Sequence, residues 1–148
     1  MIPFFIMLAG IALARGVGAL AWPALDSWTV AVRVGLAIMF IFTGIAHFGR
    51  AREDLVQMVP PGLPSPATLV TLTGIAELVG AIGLLIPVTA RWSAFALIVL
   101  LAALFPANIH AARIDHTIGG RPHTPMIVRA PLQVLWIVLL WWSVTYTG

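Results

Sequence analysis

The chain has no cysteine and no lysine, and only 9% of its residues are charged. The first absence removes a disulfide, a CxxC thiol relay, iron-sulfur ligation by this chain and a cysteine nucleophile, whichever compartment the protein faces. Any redox thiol belongs to a partner. The second leaves eight arginines as the whole cationic complement behind a net charge of +3. They are scattered near segment ends and loops rather than clustered, which argues against nucleic-acid binding.

What is present is apolar. Hydrophobic residues make up 61% of the chain and the mean hydropathy is +1.04, far from a soluble domain's balance. The chain therefore reads as an integral membrane protein with the lipid bilayer as its solvent. At about 20 residues per crossing, 148 residues hold at most four or five spans and no separate soluble domain, so a single membrane domain over 1–148 is expected. The apolar segments are 2–20, 29–48, 67–86, 92–111 and 128–146. The expected fold is all-α, an antiparallel bundle of five transmembrane helices. Arg15 interrupts the first segment, and Ile11-Ala12-Leu13-Ala14 carries an A-x-A pattern that suits a signal peptidase. The residues before it lack the usual positive charge, so the segment is read as a retained helix.

Turn chemistry fills the connections. Trp22-Pro23 and Asp26-Ser27 follow the first helix, and four prolines with one glycine between Val59 and Pro66 forbid a continuous helix there. Pro87 to Arg91 reads as a tight link, and Arg113 to Met126 as the one polar loop of any length. Arg50, Arg52, Arg113, Arg121 and Arg129 fall on one side of five spans, against Arg15, Arg33 and Arg91 on the other. Arginine counting makes the first side cytoplasmic, which places the N-terminus in the cytoplasm and the C-terminus outside, with the inner or plasma membrane as the expected host.

One carboxylate, Glu77, sits in the middle of the third apolar segment. An ionised side chain at mid-membrane costs roughly 2.5 to 3.5 kcal/mol even on lenient scales, so it should face the protein interior and have a partner. In the second segment Arg33, Ala37, Phe40, Gly44 and His47 recur at helical spacing and share a face, as do Thr73, Gly74, Glu77, Gly80, Ala81 and Leu84 in the third. With a 1.5 Å rise per residue and antiparallel helices, Arg33 and Glu77 differ in depth by less than ~10 Å. An Arg33 to Glu77 ion pair is the expected partnership, serving either to lock two helices or to hold Glu77 for a substrate or proton.

In the fourth segment Pro106 frees a backbone carbonyl one turn earlier and leaves the Asn108 amide available. His47, Asn108 and His110 all fall near the cytoplasmic face and are candidates to line one vestibule; the plainer reading is two interfacial histidines and a kink-capping amide. Two histidines without a third ligand of firm spacing make no metal site. His116 and His123, beside Asp115 in the polar loop, read as solvated. The tryptophans read as an aromatic belt, except Trp136, which is expected to pack inside; Gln133 is expected to make an interhelical hydrogen bond.

Four ordered pieces, Thr43-Gly-Ile-Ala-His-Phe48, Val59-Pro-Pro-Gly-Leu-Pro64, Gly74-Ile-Ala-Glu77 and Phe105-Pro-Ala-Asn-Ile109, together resemble the DoxX-like family of small membrane proteins. The resemblance covers roughly Val32 to Tyr146 and implies a four-helix core in the last four segments, with the first helix added. It implies association with quinone-linked or oxidative-stress membrane complexes, and it carries Arg33, His47, Glu77 and Asn108 over as the family-like polar positions without giving their chemistry.

The leading expectation is an inner-membrane protein whose buried polar centre binds a quinone or similar small hydrophobic redox molecule beside a partner oxidoreductase. Glu77 would exchange the proton, Arg33 would hold its charge, and His47 and Asn108 would hydrogen-bond a carbonyl oxygen, with His110 and Gln133 as further candidates. The alternative is a non-catalytic scaffold or assembly factor; a solute carrier fits less well because paired repeats are missing. The residues leave open whether any reaction is catalysed, and a homo-oligomer is compatible with them. Two structural expectations follow: Glu77 buried against Arg33, and the Val59 to Pro66 linker folded back over the His47 and Asn108 vestibule.

Overall fold

The computed structural model describes residues 1–113, 117–118, 121–122 and 125–146. It is built from helices: α1 (Ile2–Leu20), a 3-10 turn (Pro23–Leu25), α2 (Trp28–Ala46), α3 (Arg52–Met58), α4 (Pro66–Leu85), α5 (Pro87–Arg113) and α6 (Met126–Thr145). A two-residue antiparallel pairing of 117–118 with 121–122 lies between α5 and α6. Five of the helices, all but α3, are long and apolar enough to cross a membrane, and the protein is a multi-pass membrane protein. His116 and His123 fall outside the described residues.

Proline sets the helix starts. Pro3, Pro66 and Pro87 each occupy the first turn of their helix, where the missing N–H is no loss. This corrects one expectation: Pro87 to Arg91 is not a link but the first turn and a half of α5. Only Ile86, in extended conformation, separates α4 from α5. The Thr89 hydroxyl donates to the Gly83 carbonyl at 2.9 Å and so satisfies one of the orphan acceptors at the end of α4. A second correction is α3, a short helix where only connection was expected. Glu53 and Asp54 sit in its first turn, where negative charge is favoured. Seven residues are too few to display a helical period.

The second helix is central, packing against α1, α4 and α6, while α4 packs on α5 and α5 on α6. Phe40, Leu36 and Met39 of α2 meet Met7, Leu84, Leu97 and Leu140 in the core. Small residues let the backbones approach closely. A Cβ on Gly35 would lie 2.7 Å from the Met7 carbonyl oxygen, and one on Gly10 would lie 3.0 Å from the Gly35 Cα. Arg15, which breaks the apolar run of α1, is accommodated locally. It pairs with the Asp26 carboxylate at 2.7 Å and lies 4.6 Å from the Trp28 ring centroid.

The α1–α2 seam supplies a direct check. Gly35→Val is expected to lower stability by about 1 to 3 kcal/mol through overpacking. Gly16→Ala, whose added Cβ meets nothing within 4 Å, is expected to be neutral. Unfolding of both variants by SDS titration in mixed micelles measures the contrast.

Candidate functional site

The buried face of α4 consists of Val70, Gly74, Glu77, Gly80, Ala81 and Leu84, nearly the stripe that the spacing predicts. Glu77 is 5% exposed. Its partner is not Arg33. The Glu77 Oε2 lies 2.6 Å from the Thr43 Oγ1 of α2, and no ion pair joins it to any arginine among the described residues. The Arg33 Nε is buried with no hydrogen-bond partner. The expected ion pair is therefore corrected to a carboxyl–hydroxyl pair. The expected axial register is what fails: Thr43 lies ten residues, about 15 Å, along α2 from Arg33, so Glu77 sits at the level of Thr43 and Arg33 lies turns away from it.

The same contact works in either protonation state of the carboxyl. An ionised Glu77 accepts the Thr43 hydroxyl proton. A protonated Glu77 donates to Thr43 Oγ1, which then turns its own proton toward the carbonyl oxygen of Met39 at 3.2 Å or Phe40 at 3.3 Å. Neither state requires a heavy atom to move.

His47, just beyond α2, is 7% exposed and sits where a side chain on Gly74 would be: a Cβ there would lie 2.5 Å from the His47 Cβ. Its Nδ1 donates to the Thr43 carbonyl oxygen at 2.9 Å. A carbonyl only accepts, so Nδ1 carries the hydrogen, and in the neutral ring Nε2 presents a lone pair. Burial holds the ring's pKa below its ordinary value; the Thr43 carbonyl opposes this and the Arg52 guanidinium adds to it. His47 thus serves as an acceptor, which corrects the expectation that it would donate to a carbonyl. Arg52 in turn donates to the His47 carbonyl oxygen at 3.1 Å and to Thr71 Oγ1 at 2.9 Å, pinning α3 across the ends of α2 and α4.

A second polar group joins α5 to α6. The Gln133 Nε2 donates to the Leu101 carbonyl oxygen at 2.6 Å, one residue before the carbonyl that Pro106 deprives of its helical donor. The Asn108 Nδ2 donates to Gln133 Oε1 at 2.9 Å, and Arg129 Nη2 donates to Asn108 Oδ1. Asn108 thus commits one of its two amide hydrogens and its oxygen to partners within the protein.

Both groups border one cavity of about 1300 Å³. Thr43, His47 and Glu77 line it from α2 and α4, and Pro106, Asn108, Arg129, Gln133 and Trp136 from α5 and α6. The linker residues Val59 to Leu63, together with Met58, line the same cavity as His47 and Asn108. Neither Arg33 nor His110 lines it. No group of three or more His, Asp and Glu that could hold a metal occurs among the described residues.

Three residues escaped sequence reasoning. Thr43 stands in the sequence only as the first residue of the Thr43 to Phe48 motif, a turn before His47; Arg129 reads as a topology charge and Trp136 as an interior ring. Their signal was present: Arg129, Gln133 and Trp136 stand at spacings of four and three and share one face of α6.

Two double-mutant cycles check the revised partnership. Thr43→Val with Glu77→Leu is expected to show a coupling of about 1 kcal/mol or more, while Arg33→Met with Glu77→Leu should be additive within about 0.5 kcal/mol. SDS unfolding of the single and double variants gives both couplings, and a reversed order restores the ion pair.

No curated protein and no solved structure matches the chain. A family model described as "Domain of unknown function (DUF8561)" matches residues 36–145, from the middle of α2 to the end of α6, and the chain belongs to that family.

Proposed function

We propose that the protein binds a small hydrophobic molecule of the bilayer, a quinone or a similar redox carrier, in the cavity between α2, α4, α5 and α6, beside a partner oxidoreductase. The observation that carries this reading is the convergence of four separated sequence pieces on one cavity. Thr43 and His47, the Val59 to Leu63 linker, Glu77, and Pro106 with Asn108 all line it. These are the pieces on which the DoxX-like resemblance rests, so their meeting supports that resemblance too. The matched range begins within α2, in keeping with a four-helix core to which α1 is added.

The lining also supports an antiparallel arrangement. The first residues of α1, the end of α2, the start of α4, the last part of α5 and the start of α6 all contribute to it. Alternating helix directions bring those ends together. With the arginine distribution, this end faces the cytoplasm, the N-terminus lies there, and the host is the inner or plasma membrane.

Within that reading, Glu77 holds or releases a proton at the atom bonded to Thr43. His47 Nε2 accepts a hydrogen bond from a ligand hydroxyl, and Arg129 replaces Asn108 as the donor to a ligand carbonyl, with Asn108 and Gln133 fixing its orientation. Arg33, outside the cavity, has no part in it. A bound quinone would supply the two-electron chemistry, with the partner as the source of electrons.

The second reading, a non-catalytic scaffold, draws on the Arg129, Asn108 and Gln133 bonds, which tie α5 to α6 with no ligand needed. One variant separates the two. Ala107→Phe fills part of the cavity wall while leaving those bonds untouched. Under the redox-carrier reading, the wild-type protein in nanodiscs binds decylubiquinone saturably, and Ala107→Phe weakens binding by about tenfold or more. Absence of quinone binding, with full cellular function in Ala107→Phe, would transfer the assignment to the scaffold.

A further inference from the structure

Arg129 is a cation in a membrane-spanning helix with an incomplete set of partners. Its Nη2 donates to Asn108 Oδ1, a neutral acceptor, while its Nη1 is buried with no hydrogen-bond partner. Two turns along the same face of α6, the Trp136 Nε1 is also buried with none. Both residues line the cavity. Guanidinium and indole nitrogens donate and never accept, so the group that satisfies them carries acceptor oxygens.

The charge narrows the class. Glu77 is the single acidic residue in the five apolar helices, and it is bonded to Thr43 rather than to Arg129. No carboxylate forms an ion pair with Arg129 among the described residues. A neutral carbonyl satisfies the N–H groups but brings no counter-charge to the guanidinium. A carboxylate or phosphate group satisfies both demands.

The volume narrows it further. At about 1300 Å³ the cavity exceeds the roughly 300 to 1,000 Å³ of ordinary small-molecule sites, so a free inorganic anion would leave nearly all of it unfilled. Its remaining wall is built from apolar side chains such as Leu55, Met58, Val70, Leu101 and Leu132. Those surfaces suit a hydrocarbon chain. The head position is also prepared in advance: the Leu101 carbonyl holds Gln133, Gln133 holds Asn108, and Asn108 holds the guanidinium.

We propose that the cavity takes a single-chain amphiphile with an oxyanion head, its carboxylate or phosphate paired with the Arg129 guanidinium and its chain lying along the apolar wall. This rests on the reading of the cavity as a ligand site and not on the ligand being a quinone. Asn108 and Gln133 are positioning residues; Arg129 makes the contact.

The test uses the full chain in nanodiscs of zwitterionic phosphatidylcholine, with protein-free nanodiscs as the blank and radiolabelled oleate, oleyl phosphate and oleyl alcohol as probes. The expected result is saturable binding of an anionic probe about tenfold or more tighter than that of oleyl alcohol, the size of one lost charge-assisted hydrogen bond or more. The tighter of oleate and oleyl phosphate identifies a fatty carboxylate or a lipid phosphate as the source of the head. Arg129→Gln should abolish the preference, and Arg129→Lys should retain part of it. Equal binding of oleate, oleyl phosphate and oleyl alcohol, or displacement of the chain by inorganic phosphate at equal concentration, would overturn the proposal. If Arg129→Gln does not fold, the head-group comparison on the wild-type protein decides alone. A protein that prefers the anionic probe yet binds no decylubiquinone keeps this inference and loses the redox one; quinone binding with no head-group preference does the reverse.

Discussion

The approach of α2 to α4 sets the geometry on which the cavity depends. Gly44 and Gly74 make it possible: a Cβ on Gly44 would lie 2.9 Å from the Leu78 side chain, and one on Gly74 would collide with His47. At that separation Thr43 reaches Glu77 directly, and the buried carboxyl is satisfied without any cation. A hydrocarbon surround offers polar groups no partner, so each must find one within the protein. Here the smallest available side chains decide which partner is found.

The remaining polar groups follow the same logic with different results. Pro106 takes a donor out of α5, and Gln133 of the neighbouring helix brings an amide to the carbonyl next to the one left open. Fixing Gln133 fixes Asn108, and fixing Asn108 orients Arg129. The cavity consequently has two unlike poles. At one, Thr43, His47 and Glu77 include groups that exchange donor and acceptor roles. At the other, Arg129 and Trp136 only donate. A ligand that spans both must differ in chemistry from end to end.

The amino-acid pattern made the five apolar helices legible because each is an apolar run about as long as the bilayer requires or longer, and the buried stripe of α4 because its small residues recur at helical spacing. It failed where the register between two helices or a short element decided the matter. Counting residues from the segment ends puts Arg33 within reach of Glu77, but the two helices are set in a different axial register: Glu77 meets Thr43, ten residues and about 15 Å farther along α2. Polar residues near a helix end carry a second ambiguity. Arg129 satisfies the topology rule for cytoplasmic arginines and also lines the cavity, and the charge count alone cannot separate those roles.

The place of α1 illustrates how a helix outside the matched family range is tied to the rest. It lies against α2 through Gly10 and Gly35, and its far end is fixed by Arg15 on Asp26 and Trp28. Only its first four residues reach the cavity, which is otherwise lined from α2 onward. Those four, Met1, Ile2, Pro3 and Phe4, carry no polar side chain. The chemistry of the site therefore resides in α2, α4, α5 and α6, while α1 contributes apolar wall at the rim. A change in how α1 sits alters access to the cavity more than it alters what the cavity recognises.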